Sequence, residues 1–116
     1  MDTIIVTRHK ALIEYIYREC IAERGTPAIS HIEAGDIKGK HVIGVLPMHL
    51  AVLTASVTEI PLTLTPEMRG KELSLEEVCN VAGDPVTYVV STLSEFVAEY
   101  YEGGLRKTLP RGMKAW

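Results

Sequence analysis

The sequence has few features of secreted or membrane-bound proteins. Its only two cysteines, Cys20 and Cys79, lie far apart and without CxxC spacing, so neither a disulfide framework nor a zinc ribbon is indicated. Each cysteine falls in an apolar helical pattern, and we expect both to be buried free thiols of a protein in the reducing cytoplasm. No apolar run reaches about 18 residues and no charged leader precedes an apolar stretch, so we expect neither a membrane span nor a signal peptide.

An excess of positive charge is also absent. Fifteen acidic residues stand against twelve basic ones, which gives a net charge of -3. Such a surface does not attract long duplex DNA or RNA, and a phosphate ligand must be bound by a local group of basic residues. The sequence also lacks HxxxH, CxxC, a pair of carboxylates beside the histidines at a recognisable ligand spacing, a Walker motif and GxSxG, so we expect no metal and no cofactor.

Apolar patterning is what the sequence does contain. With 116 residues, 47% of them hydrophobic, the chain is long enough for a single domain over residues 1–116, with a basic tail from about residue 103. A β-like run at 3–6 precedes a helical pattern that continues to about residue 23, and a central strand follows at 41–46. This alternation predicts an α/β, Rossmann-like fold with a mainly parallel sheet of four to five strands flanked by helices.

The remaining elements follow from weaker patterns. Residues 27–33 predict an edge strand, apolar positions from 50 to 57 predict a short helix, and alternation at 60, 62 and 64 predicts the fourth strand. Ser74 and Glu77 match a capping box that begins another helix. Helical spacing from Val86 to Tyr100 predicts a final helix, while the β-prone sequence around Tyr88 leaves a strand at 86–91, with a helix from about Thr92, as the alternative.

Polar and basic residues gather where predicted strands end. In a parallel sheet these ends lie at one edge, where open α/β folds bind ligands. The candidate residues are Thr7, Arg8 and His9 after the first strand, Gly44 and Leu46 near the end of the central strand, Pro47 and His49 after it, and Arg69, Gly70 and Lys71 after the fourth.

The chemistry of these residues suits an anion. Pro47 fits the first position of a helix, whose free N–H groups favour negative charge, and His49 could donate a proton there. Arg69 offers a planar fork of donors for a phosphate. The ordinary alternatives are that Arg8 is a solvated charge and that His9 pairs with the first turn of its helix. His31 has no assigned role, and His41 is expected at the opposite end of the sheet from His49.

Three segments together resemble a known family. They are Val6-Thr7-Arg8-His9, Ile43-Gly44-Val45-Leu46-Pro47-Met48-His49-Leu50-Ala51 and Met68-Arg69-Gly70-Lys71-Glu72-Leu73. In order and spacing they resemble the small CRISPR-associated proteins of the Csx series, number sixteen, over residues 3 to about 78. That family looks like a ring nuclease with a Rossmann-like fold, which degrades the second messenger cyclic tetra-adenylate and so turns down type III CRISPR defence.

The resemblance implies a metal-independent reaction, in which the ribose 2′-hydroxyl attacks the adjacent phosphorus and leaves a 2′,3′-cyclic phosphate. It implies Arg8, His9, His49 and Arg69 as catalytic residues, and Thr7, Gly44, Leu46, Pro47, Gly70 and Lys71 as ligand-binding residues. Either His9 or His49 would donate a proton to the leaving 5′-oxygen.

Two other functions stay open from the sequence. The same residues suit a non-catalytic binder of cyclic oligoadenylate, either a sensor or a sponge, and the basic tail suits a plain interaction domain. Together with the resemblance, the two-fold symmetry available to a ring of four identical nucleotides favours a homodimer with the ligand on its axis. Exposed apolar residues would form that contact, drawn from Tyr15, Tyr17, Met48, Met68, Tyr100, Tyr101 and Trp116.

Overall fold

A five-stranded sheet with helices on both faces forms the fold in the computed structural model, which describes residues 2–98. The strands are β1 (Thr3–Val6), β2 (Ala28–Ile29), β3 (His41–Gly44), β4 (Ser56–Glu59) and β5 (Val86–Tyr88). The helices are α1 (Lys10–Arg18), α2 (Ala34–Ile37), α3 (Met48–Ala51), α4 (Leu75–Val81) and α5 (Leu93–Val97). The predicted α/β fold with a mainly parallel sheet is confirmed.

The strand order β2-β1-β3-β4-β5 places the site. The first four strands are parallel, and β5 runs antiparallel to β4. From β1 the chain adds β2 on one side and then crosses to add β3 on the other. The order therefore reverses between β1 and β3, and open α/β sheets bind their ligands beyond the carboxyl ends of the strands at such a reversal.

The apolar runs of β1 and β3 follow from burial on both faces. On one face Ile5 packs with Ile16 of α1 and Val78 of α4. On the other face Val42 packs with Ile37 of α2. None of these five side chains is more than 1% exposed, so they form the centre of the two cores.

Helix α1 is shorter than predicted, and both cysteines are exposed. The helix ends at Arg18 instead of about residue 23, and Cys20 lies beyond it with a φ of 56°. On α4, Val78 takes the buried position, and its neighbour Cys79 is rotated by about 100° toward solvent. The prediction of buried thiols is therefore wrong for Cys20 and for Cys79.

The fourth strand lies earlier than predicted. Helix α3 ends at Ala51, whose carbonyl oxygen accepts a hydrogen bond from the Thr54 hydroxyl at 2.7 Å. The chain then forms β4 at Ser56–Glu59, and Val57 is buried in the strand instead of continuing a helix. The alternating segment around Leu62 is extended but makes only an isolated bridge to Ala82 within the described residues.

The C-terminal part follows the alternative prediction. Residues Val86–Tyr88 form β5 beside β4, so a continuous helix from Val86 is wrong. Helix α5 begins after Thr92, whose hydroxyl accepts the Glu95 backbone N–H at 3.2 Å. Strand β2 is the predicted edge strand, although it has only two residues. The basic tail from about residue 103 lies outside the described residues.

Candidate functional site

A cleft of about 710 Å³ opens at the carboxyl ends of β1 and β3. Its walls include three loops that follow β1, β2 and β3, at residues 7–9, 30–32 and 45–47. The cleft therefore lies at the reversal of strand order, where the topology alone leads us to expect a ligand.

Gly44 lets β1 and β3 approach closely at the base of the cleft. Its φ is 150°, a backbone conformation that side chains other than hydrogen disfavour. A Cβ built on Gly44 would collide with the carbonyl oxygen of Val6, its partner in the parallel register. Glycine is therefore required here by its contact with the β1 backbone.

Residues 7–9 form one wall of the cleft, which carries two basic side chains, Arg8 and His9. The Thr7 hydroxyl accepts the backbone N–H of His9 at 3.2 Å. The carbonyl oxygen of His9 accepts the N–H groups of Leu12 and Ile13, so its backbone begins α1 while its imidazole makes no capping hydrogen bond. Arg8 is exposed and has no ion pair with another residue of the described chain. The alternative that His9 serves the first turn is therefore wrong for its side chain.

A second cleft, of about 330 Å³, adjoins the first. Gly70 and Lys71 line it, and it shares His9, Leu12 and Leu62 with the larger cleft. The third sequence segment thus meets the first one at His9. Of the predicted site residues, Thr7, Arg8, His9, Gly44, Leu46, Pro47, Gly70 and Lys71 line one or both clefts.

Lys71 forms an ion pair with Glu77 of α4. Its Nζ lies 3.0 Å from a carboxylate oxygen of Glu77, and the other carboxylate oxygen accepts the backbone N–H of Ser74 at 3.1 Å. The Ser74 hydroxyl in turn accepts the Glu77 N–H, which completes the predicted capping box. The Ser74 N–H and then the Lys71 ammonium hold the pKa of Glu77 below its ordinary value.

His49 and Arg69 are not among the residues that line the two clefts. Both side chains are exposed. Pro47 precedes α3 as its N-cap, with a ψ of 147°, instead of being the first helical residue. Because α3 has only four residues, it offers little dipole for an anion. Pro47 therefore contributes to the wall of the larger cleft and does not begin a helix that could bind an anion at its N-terminus.

His31 is the site residue that sequence reasoning missed. It is exposed and lines the larger cleft together with Ser30. Its position after a predicted strand could have identified it, because β2 is parallel to β1 and the carboxyl ends of both strands lie at the same edge of the sheet. The polar residues Ser30 and His31 had indicated only that the strand is peripheral.

His41 lies outside the site, as predicted. It begins β3 at the other end of the sheet, where its ring nitrogens hydrogen-bond to the hydroxyls of Ser56 and Thr58. The Thr58 hydroxyl also bonds to that of Thr87 at 2.7 Å, so the group links β3, β4 and β5. Both ring nitrogens of His41 are therefore used in hydrogen bonds between strands.

Residues 2–98 contain no group of three or more His, Cys, Asp or Glu side chains arranged to hold a metal ion. None of the helices in this part of the chain has the length and apolar character needed to cross a membrane.

Comparison with known proteins places the chain in a family. Neither a search of curated proteins nor a search of solved structures found a match. The family model described as "Putative CRISPR-associated protein (Cas_VVA1548)" matches residues 4–91, which include β2 to β5, all of β1 except Thr3, and both clefts. The chain therefore belongs to this family of CRISPR-associated proteins.

Proposed function

We propose that this protein is a metal-independent ring nuclease of the Csx series, number sixteen, which cleaves cyclic tetra-adenylate and switches off type III CRISPR signalling. The observation that carries the proposal is the meeting of Arg8 and His9 with the Gly44 backbone in one cleft at the reversal of strand order. Membership of a CRISPR-associated family supports the biological setting. The resemblance in the three junction segments supports the substrate.

The reaction requires only groups that the clefts supply. The ribose 2′-hydroxyl gives its proton to a general base as its oxygen attacks the adjacent phosphorus, a P–O2′ bond forms, and the bond from phosphorus to the 5′-oxygen breaks. Arg8 stabilises the charge on the phosphate oxygens, and the His9 imidazolium gives its proton to the leaving 5′-oxygen. The products are a 2′,3′-cyclic phosphate and a 5′-hydroxyl, with no water consumed. Neither a metal nor a cofactor takes part in this scheme.

The larger cleft has the volume of a site for one small molecule, whereas the ligand is a ring of four nucleotides. An isologous homodimer would hold opposite phosphates of the ring in two equivalent clefts. Val45 and Met48, beside the cleft, are 70% and 80% exposed and suit such a contact.

The other aromatic and methionine candidates contribute less to a dimer contact. Tyr15, Tyr17 and Met68 pack against the core of their own chain. The Tyr17 hydroxyl donates to the carbonyl oxygen of Thr26 at 2.6 Å, which fixes it further. The remaining candidates, Tyr100, Tyr101 and Trp116, lie outside the described residues.

A non-catalytic binder of cyclic oligoadenylate is the second candidate. Two observations favour it: Lys71 is ion-paired with Glu77, and Arg69 is not among the residues that line the two clefts. Arg8 is then the one guanidinium that faces the larger cleft in the described chain, which provides less charge stabilisation than a nuclease with two arginines.

Incubation of the pure protein with cyclic tetra-adenylate in EDTA, followed by chromatography, distinguishes the two candidates. Linear products in molar excess over protein support the nuclease. An intact ring that stays with the protein supports a sensor or sponge, and a ring that is neither cut nor retained contradicts both.

A further inference from the structure

The proposed reaction transfers two protons, and His9 accounts for one of them. The 2′-hydroxyl must lose its proton as the 5′-oxygen gains one. Arg8 stays protonated and cannot accept it. Among the described residues that line the larger cleft, the other imidazole is that of His31.

Strand pairing explains why the two histidines share this cleft. Val6 and Ile29, the last residues of β1 and β2, are register partners in the parallel ladder. The Thr7 backbone N–H donates to the Ile29 carbonyl oxygen at 3.1 Å, which ties the two strand ends together. Each chain then enters a loop, and those loops bring His9 and His31 to the same cleft.

The surroundings leave the His31 ring free to act on a ligand. No hydrogen bond or ion pair to another residue within 2–98 holds the imidazole. The charged or titratable groups that face the same cleft are Arg8 and His9, and the wall at 44–47 adds none. On its own loop, Glu33 is exposed and is not among the residues that line the cleft, and its backbone N–H donates to the Asp36 carboxylate at 2.7 Å.

We propose that His31 is the general base of the ring nuclease, an inference that rests on the proposed function. Neutral His31 accepts the proton of the 2′-hydroxyl as the P–O2′ bond forms. The bond to the 5′-oxygen breaks, and that oxygen takes a proton from His9. Proton exchange with solvent afterwards restores both imidazoles, so atoms and charge balance without a further reactant.

His49 and Glu72 are the competing groups. His49 is exposed on α3 and is not among the residues that line either cleft, whereas Glu72 lines the smaller cleft beside Lys71. The larger cleft is lined by Arg8, His9 and His31 together, so a phosphate bound by Arg8 and His9 shares its cleft with His31.

The test measures single-turnover cleavage of cyclic tetra-adenylate by the full chain and by His31→Gln, His49→Gln and Glu72→Gln. Lys38→Gln, an exposed side chain outside both clefts, is the control for a neutral surface change. We expect His31→Gln to slow cleavage by about 100-fold or more while ring affinity and Tm stay near those of the wild type. The low-pH limb of the rate profile should disappear, because that limb reports deprotonation of the base. Added imidazole should restore part of the rate to His31→Ala.

Each other result contradicts the inference in a distinct way. If the wild type cleaves the ring and His31→Gln does so at the same rate, the base is not His31, and a large loss in His49→Gln or Glu72→Gln identifies the residue that replaces it. A rate loss matched by an equal loss of affinity, with an unchanged pH profile, shows a binding contact only. If the wild type leaves the ring intact, the proposed function fails and this inference fails with it.

Discussion

At the scale of single residues, Arg8 lines the larger cleft, and its guanidinium has no ion pair within the described chain. We expect Arg8→Ala to weaken binding of cyclic tetra-adenylate by about 1.5 to 3 kcal/mol, the loss of a charge-assisted hydrogen bond. Arg69→Ala is the matched control, because Arg69 is exposed but lies outside both clefts. Its effect should stay below about 1 kcal/mol. Calorimetric titration measures both values, and equal losses would place the phosphate site elsewhere.

Gly44 gives a second prediction at the residue scale. In Gly44→Ala the new methyl group meets the Val6 carbonyl oxygen, so β1 and β3 must separate where the cleft begins. We expect the free energy of unfolding to fall by about 2 kcal/mol or more, together with loss of ligand binding. Gly35→Ala is the control, since a Cβ there meets open space. Urea titration compares the variants, and equal stability would show that the strands can part at little cost.

Single residues were predictable where the sequence pattern coincided with a strand end. Residues 7–9 and 44–47 come directly after apolar runs, so their place at one edge followed from parallel pairing. His31 was missed because β2 has only two residues and gives almost no apolar signal. The exposure of Cys20 depended on where α1 ends, and the i and i+4 apolar spacing continues past that point.

At the scale of elements, the ion pair of Glu77 joins the loop at 65–73 to α4. Because the Ser74 N–H and Lys71 lower the pKa of Glu77 in the folded state, its stabilising contribution is complete at neutral pH. The contribution is lost as the pH falls below about 4 through the lowered pKa. We expect Glu77→Gln to lower the Tm at pH 7 and to remove this part of the acid dependence.

Glu76→Gln is the control for this prediction, because the neighbouring Glu76 is exposed and forms no ion pair with a described residue. Thermal melts from pH 3 to pH 7 make the comparison. If Glu77→Gln keeps the acid dependence of the wild type, the carboxylate of Glu77 does not stabilise the fold.

Elements were predictable where local and tertiary signals agreed. The apolar runs of β1 and β3 and the capping box at Ser74 point to the structure that forms. Strand β4 was misplaced because its buried Thr58 is polar and its Val57 also fits a helical spacing. The segment Val86–Tyr88 has apolar residues at helical spacing, but it forms a strand because it pairs with β4, which is distant in sequence.

At the scale of the whole molecule, the proposed homodimer depends on the apolar surface beside the cleft. Met48 is 80% exposed there, and Val89, just after β5, is 81% exposed and serves as a control. We expect Met48→Lys to weaken the dimer and to slow ring cleavage, because a buried ammonium is costly at an interface. Val89→Lys should leave both unchanged. Light scattering that shows a 12.8 kDa monomer, with the ring still cleaved, would contradict the shared site.

The class of the whole fold followed from the sequence, since alternating apolar runs and helical patterns allow few arrangements other than a parallel α/β sheet. The antiparallel β5 did not follow, because its direction depends on how the chain returns after α4. The oligomeric state is harder still to predict from the sequence, because the residues around Met48 would have the same sequence pattern in a monomer and in a dimer.

The most direct test of the proposed chemistry is cleavage of cyclic tetra-adenylate by the wild-type protein in EDTA and water labelled with heavy oxygen, with the products weighed by mass spectrometry. Attack by the 2′-hydroxyl predicts linear products with a 2′,3′-cyclic phosphate, a 5′-hydroxyl and no label. Heavy oxygen in the newly formed phosphate end, or cleavage that occurs only when a divalent metal is returned, would contradict the mechanism.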